Sequence, residues 1–449
     1  MLRKLLSAIL LLLGSAAALA PGQTPVYKLL WSPGSLGAPG GQPVTILEAA
    51  PGLFYVLGTL DQSTFGASVF SITNAGTFKL LYSQPPYFTS IAIVQATNGH
   101  LYNPGFDGNT QQNFYFSTNA AGSDLVEYPF PDNLGSGWQT SVAPGKMYDI
   151  VGSSTQEGVT TYDFAQISET GQITVLHQFS GSDGTPTGAN LALGPDGNFY
   201  GIGNQQPGGI SPGFIFRFTP KGEYSQLLAF PEFPEKGFHS IIFASDGNLY
   251  GLFGNGGPSN SGTLYQATLS GQLHVLAYFP STMATPQTLV QASDGSIYGS
   301  TNSSAIFRYD MTTHALTNAY QFVQGGTEGL CYCQLIQGMD GKIYGVTGNG
   351  GPYPGNGAVF SLDFGLPPPQ PVVTALYPAT AAVGKEVMLW GKYLLGASSV
   401  TFNGVPAITI HRTSAQSVTA TVPAGATTGP VTITTQNGSF TTTQVFTVE

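Results

Sequence analysis

The heptapeptide SDGNLYG at 245–251 recurs along the chain, and this recurrence restricts the fold more than any other feature of the sequence. Close copies are PDGNFYG (195–201), SDGSIYG (293–299) and MDGKIYG (339–345), with weaker ones in APGLFYV (50–56), TNGHLYN (97–103) and APGKMYD (143–149). The motif tyrosines, Tyr55, Tyr102, Tyr148, Tyr200, Tyr250, Tyr298 and Tyr344, follow at intervals of 47, 46, 52, 50, 48 and 46 residues. A period of this length marks an array of supersecondary units that bury their apolar faces against one another. Each unit reads as four strands. An alternating apolar segment such as SIIFA (240–244) enters the Asp-Gly turn, read here as a two-residue hairpin, and LYGLF leaves it. A variable Gly-rich loop leads to a third strand such as GTLYQAT, whose aromatic column runs through Phe70, Phe116, Phe216, Tyr265, Phe307 and Phe360, with Ala165 as the exception. A turn at Gly76, Gly122, Gly171, Gly222 or Gly271 then precedes a fourth strand such as LHVLAYF. Repetition of four antiparallel strands without helical periodicity predicts an all-β chain with a seven-bladed β-propeller over residues 24–364. Turn chemistry accounts for the Asp-Gly motif without a ligand.

The ends of the array support this reading. The seventh unit stops at AVFSLDF (358–364), because Pro367, Pro368 and Pro369 follow, while VYKLLWS (26–32) copies TFKLLYS (77–83), the fourth strand of the first unit. The N-terminal strand is expected to complete the last blade, closing the ring and removing its open edges. With G-x-V-F-x-L-T-x-x-G, L-x-x-F and D-G-N-x-Y-G in register, the units resemble the GloVer-type tandem repeats of exported bacterial proteins. That resemblance implies a propeller and brings no established activity. Units two and three lack the acidic turn, so no role can need that carboxylate in every blade.

GLPPPQP (365–371) reads as a stiff Pro-rich linker. Residues 372–449 follow with short alternating strands at the spacing of an immunoglobulin-like β-sandwich. Tyr377-Pro378, Gly384, Val387 and Leu389 before Gly391, VTFNGVPA (400–407) and VPAGATTGPVTI (422–433) make this segment resemble the IPT/TIG family. In exported bacterial proteins the resemblance implies a spacer or adhesion module. Asn403-Gly404 is expected to form a hairpin turn.

Residues 1–20 have the layout of a secretory signal peptide: Arg3 and Lys4, an apolar run from Leu5 to Leu13, then small residues. Cleavage is expected after Ala18 or Ala20. The run is too short for a membrane span and no comparable stretch follows, so the mature chain is expected to lack a transmembrane segment and to be extracellular, periplasmic or on the cell surface. Removing Arg3 and Lys4 takes the formal charge from −10 to −12, and with no basic cluster this excludes nucleic acid as the expected partner. A monomer is the expected state. Cys331 and Cys333 leave three readings open: buried thiols, an unusual local disulfide, or half of a soft-metal site.

Catalytic signals are sparse. No HExxH, CxxC pair or phosphate loop occurs, and the six histidines share no repeat position. In a propeller the loops joining strands two to three and those joining successive blades open on one face. Here these are the long, variable connections, so that face is the expected binding surface. Asp183, Asn204, Gln205, Asn255 and Tyr353 are its candidate binding residues. No catalytic residue is assigned. Asp61, Asp107, Asp183, Glu157, Glu232, Glu235 and Glu328 could serve acid/base work or calcium, the one cofactor such carboxylates would suit; otherwise no cofactor is expected. The resulting expectation is a secreted or surface non-catalytic protein binding an extracellular glycan or protein. The rival is an exported polysaccharide lyase or glycoside-cleaving enzyme using loop carboxylates.

Overall fold

A computed structural model describes residues 24–449 apart from 35–40, 61–65, 84–87, 91, 108–109, 111, 131–133, 138–140, 155–159, 188–189, 206–212, 231–236, 324–327, 329–333, 349–350 and 352–355. Among the described residues the repeats form seven antiparallel sheets, each with a path of four strands. Blade five is representative: Phe238–Phe243, Leu249–Phe253, Thr263–Ala267 and Leu273–Tyr278 run from the inner to the outer edge. In blade seven the outer strand is Val26–Trp31, paired with Ala358–Asp363 so that Val26 faces Asp363 and Leu29 faces Phe360. The expected closure is thus present. Its seam is tied by Met339 N, which donates to Glu48 Oε2 at 2.9 Å, and by Ile46 N, which donates to Gln334 Oε1 at 3.1 Å. Leu30, Ile46, Phe54, Val56, Phe70, Tyr344 and Val359 form one buried cluster across it.

The Asp-Gly motif is a structural hub. Asp246 accepts from Asn248 N at 3.1 Å, Asn248 Nδ2 at 2.9 Å and the Tyr250 hydroxyl at 2.8 Å. Burial raises the pKa of this carboxyl, but these bonds outweigh it and hold the group below its ordinary value. The tyrosine-to-aspartate bond recurs at Tyr200–Asp196 (2.7 Å), Tyr298–Asp294 (3.3 Å) and Tyr344–Asp340 (2.8 Å). Asn98 substitutes in unit two, accepting from His100 N and donating to the Tyr102 hydroxyl, both at 2.9 Å.

One local expectation is corrected. Ala244 N bonds Asn248 O, and Gly247 N bonds Ala244 O, so the turn contains three residues, 245–247. Only Gly247 has a positive φ, 79°, and Asp246 does not. A type I turn followed by one left-handed residue needs a single glycine, and it leaves the aspartate in a conformation that L-residues adopt without strain. Two-residue turns occur instead at Pro51-Gly52, Pro144-Gly145 and Asn403-Gly404.

The glycine after the motif tyrosine has a different cause. The third-strand aromatic lies directly over it: an added Cβ would meet Phe216 at 2.2 Å from Gly201, Tyr265 at 2.2 Å from Gly251, Phe307 at 2.4 Å from Gly299 and Phe360 at 2.6 Å from Gly345. Where the column breaks, the volumes exchange. Ala165 faces Asp149, to which the Tyr115 hydroxyl of the preceding blade donates.

Beyond the propeller, Val372–Tyr377, Glu386–Lys392, Ser417–Thr421 and Ile410–Ser414 form one sheet of a sandwich. The other contains Ser399–Phe402, Gly429–Thr435 and Gly438–Val448. Alternate residues including Val387, Leu389, Val400, Phe402, Val418, Val431 and Ile433 fill the space between them. Segment 365–371 does not hold this sandwich away from the propeller. Ser293 Oγ donates to Pro367 O, and the sandwich residue Asn437 donates to Met339 O at 2.8 Å and Pro369 O at 3.1 Å.

Candidate functional site

The two broad faces of the propeller differ. The Asp-Gly turns lie on one, and the immunoglobulin-like sandwich rests on it near the ring axis. Trp390 is 6% exposed and shares a buried cluster with Ala96, Tyr102, Val142 and Met147 of blades two and three. Lys392 Nζ donates to Phe243 O of blade five at 3.3 Å, and an added Cβ on Gly396 would lie 3.5 Å from Pro51 of blade one. One short segment that reaches blades one, two, three and five must lie across the axis. The Phe243 carbonyl belongs to an innermost strand and points away from its partner strand, in the same sense as Ile241, whose N–H and C=O bond Asn190. Lys392 therefore reaches the innermost strand of blade five near the axis on the turn face. It keeps accessible surface, yet enclosure by protein disfavours its charged form and lowers its pKa.

The opposite, loop face carries the candidate residues. Asp183 is engaged by its own turn: Ser180 N donates to it at 2.9 Å, Ser180 Oγ at 2.8 Å, and His177 Nε2 lies 3.2 Å away. Burial opposes ionisation, but these partners outweigh it and lower the Asp183 pKa. Asn204 and Gln205 are brought beside this turn, because Asn204 pairs with Thr185. Among the described residues Asn204 Oδ1 is buried without a partner, whereas Gln205 is exposed. Asn255 lies in the corresponding loop of blade five. Of the other carboxylates, Asp107 accepts from Thr110 at 2.7 Å, and Glu328 accepts from the Tyr320 hydroxyl at 2.9 Å and Val323 N at 3.1 Å. Tyr353, Asp61, Glu157, Glu232, Glu235, Cys331 and Cys333 lie outside the described residues. Among the described residues no group of three or more His, Cys, Asp and Glu side chains could hold a metal.

Two features escaped the sequence reading. Tyr278, half-exposed at the loop-face end of blade five, could have been found by aligning the fourth strands. Glu48, which bridges the seam, could not, because its cross-seam partner Met339 is distant in the chain. Glu48 Oε1 accepts from Gly52 N at 2.8 Å and Oε2 from Met339 N. At the equivalent position Gln337 instead donates to Gly341 O at 3.1 Å, because the three-residue turn presents a carbonyl where the Pro51-Gly52 turn presents an N–H.

Burial pushes the Glu48 carboxyl up to about 7, partly offset by the Gly52 and Met339 N–H groups and reinforced by Asp340. The native pKa exceeds the unfolded one, so this stabilisation is complete below the unfolded value near 4.5 and is lost as pH rises to about 7. Denaturant titrations at about pH 5 and about pH 7.5 should show Glu48 removing on the order of 2–3 kcal/mol across the interval. His239, whose pKa burial lowers, works in the opposite direction, so the measure is the difference between wild type and E48Q. An E48Q slope equal to that of wild type excludes Glu48 as the source.

The architecture defines a repeat β-propeller carrying a C-terminal immunoglobulin-like domain. The chain contains the Gloeobacter/Verrucomicrobia repeat, matched over residues 150–305, followed by an IPT/TIG domain matched over 371–448. No curated protein matches it in sequence. Among solved structures, YCF48 bound to D1 peptide aligns with a TM-score of 0.50 and 10% identity, covering 77% of this chain and 96% of that one. An oligogalacturonate lyase in complex with manganese aligns with a TM-score of 0.51 and 13% identity, covering 77% and 97%. The extracellular domain of a putative hybrid two-component system, BT3049 from B. thetaiotaomicron, gives 0.50 and 12%, covering 94% of this chain and 57% of that one. At these identities the likeness is one of fold. Binding proteins and enzymes both occur among these neighbours.

Proposed function

We propose that the protein is exported and non-catalytic, and that it binds an extracellular glycan or protein partner through the loop face of its propeller. The observation that carries this reading is the position of the immunoglobulin-like domain. It occupies the turn face, where the aspartates are already committed to the scaffold, and the variable loops face the other way. Rigid blades presenting variable loops are a common setting for recognition. The described loop carboxylates Asp107, Asp183 and Glu328 are each engaged by neighbouring groups, which favours binding over acid/base chemistry. Export rests on the layout of residues 1–20 and agrees with the IPT/TIG domain. Among the described residues no helix is long and apolar enough to cross a membrane.

The test is a binding and turnover screen of the mature protein, with residues 1–20 removed, against a polysaccharide and surface-protein panel, with calcium and with chelator. Binding without product is expected, as is elution as a monomer. Replacing loop 254–262 by a Gly-Ser linker should abolish binding while leaving the thermal transition in place; binding that survives this replacement overturns the loop-face assignment. Release of product, lost in D183N or E235Q, would instead establish the polysaccharide-cleaving rival.

A further inference from the structure

A side chain that a repeat scaffold requires recurs from blade to blade, so a departure from the repeat can mark a residue retained for another purpose. Tyr278 is such a departure. It is the last residue of the fourth strand of blade five and pairs with Thr263. The corresponding positions are Ser83, Pro129, Gln178, Ala229 and Gln321, and in blade seven Ser32 follows the paired Trp31. None of these is aromatic. Tyr278 is 48% exposed, and its hydroxyl has no hydrogen-bond partner among the described residues.

Its surroundings are fixed. The loop GNGGPSNSG (254–262) folds back against the ring, and an added Cβ on Gly257 would lie 2.5 Å from Tyr278 Cδ1. The tyrosine therefore rests against loop backbone near Cβ, Cγ and Cδ1, while about half of the residue is open to solvent. Gly256 N donates to Asn260 Oδ1 at 3.1 Å, Asn260 N to Gly257 O at 3.0 Å and Gly262 N to Gly256 O at 3.3 Å. Gly256, Gly257, Asn260 and Gly262 all have positive φ, a region glycine enters without steric cost, and the three hydrogen bonds order the loop. Asn255 is two residues from Gly257, within about 7 Å of chain. Its side-chain amide is partly exposed and has no partner among the described residues. Residues 254–293 contain no Asp, Glu, Lys or Arg, in a chain of net charge −10.

We infer that Tyr278 and Asn255 form a subsite for a neutral pyranose. The exposed part of the tyrosine ring stacks against the apolar C–H face of the sugar, while the amide, which both donates and accepts, bonds its vicinal hydroxyls. Because the loop is ordered by its own hydrogen bonds, little ordering cost remains at binding. The lack of Lys and Arg in residues 254–293 disfavours an acidic sugar. This subsite rests on the glycan-binding reading above and narrows it to one ligand class and one blade.

The test is isothermal titration of the mature chain with neutral hexose oligosaccharides and with the matching uronate oligosaccharides. It includes Y278A, Y278F, N255A and, as a rim control on blade three, V175A; the exposed positions should leave folding intact, checked by thermal melting. Neutral oligosaccharides are expected to bind, Y278A and N255A to weaken them at least about ten-fold, and Y278F and V175A to remain near wild type. Neutral-sugar binding unchanged in Y278A and N255A overturns the subsite and leaves glycan binding through other loops standing. Binding of uronates alone overturns the assigned ligand class. Failure of both panels removes the subsite and the glycan-binding reading together.

Discussion

Deleting residues 24–33 is expected to abolish cooperative unfolding of the propeller. The strand Val26–Trp31 supplies the outer ladder of blade seven and buries Leu30. Trp31 stacks on Phe78 at 5.1 Å and lies 4.6 Å from Phe70, so it also joins the last blade to the first. Tyr27 packs on Phe360 and on Tyr320 of blade six. Burial of each large apolar side chain contributes about 1.5–3 kcal/mol, so losing several consumes a large share of the roughly 5–15 kcal/mol by which a folded domain is stable. The deletion also exposes Ala358–Asp363 as an unprotected edge, which invites aggregation. Calorimetry of the deleted chain should give a broad, weak transition, and a synthetic peptide of residues 24–33 should restore the sharp one. An unchanged transition would show that the ring does not depend on its seam.

The second large effect is expected at the contact between domains. W390A removes a buried indole from the cluster formed with Ala96, Tyr102, Val142 and Met147 and should cost about 3–5 kcal/mol, as truncation of a buried aromatic usually does. In the wild type, calorimetry should show the propeller and the sandwich unfolding together; in W390A the sandwich should separate into its own transition. Hydrogen exchange should then rise at the Asp-Gly and equivalent turns of blades two and three, while the loop face stays protected as before. Coupled unfolding that persists in W390A would mean that Lys392, Asn437 and the Pro-rich segment suffice to dock the domain.

Much of the fold was legible in the sequence because a repeat states the same local rule several times. The tyrosine spacing, the copy of a fourth strand at the N-terminus and the aromatic column each correspond to paired strands. The Asp-Gly turn was identified correctly as scaffold, but its length was misjudged, since a two-residue and a three-residue turn can share the same dipeptide. The distinction lies in which backbone groups pair across the strands. The candidate site was less legible. Asp183, Asn204 and Gln205 do gather at one end of blade four, but the engagement of Asp183 by Ser180 and His177 depends on a local geometry that the one-dimensional pattern does not specify. Tyr278 was present in the sequence as a departure from a column, visible only once the fourth strands are aligned.

The sequence alone determined the repeated unit, the strand order within each blade, the closing strand and the sandwich, because period, turn residues and alternation act over a few residues or recur in register. Only the tertiary structure decided that the sandwich lies across the axis on the turn face, that Trp390 and Lys392 reach several blades, and that Glu48 joins the seam beside a desolvating wall. Those outcomes arise from burial and hydrogen bonding between residues far apart in the chain, where no local pattern constrains which surfaces meet.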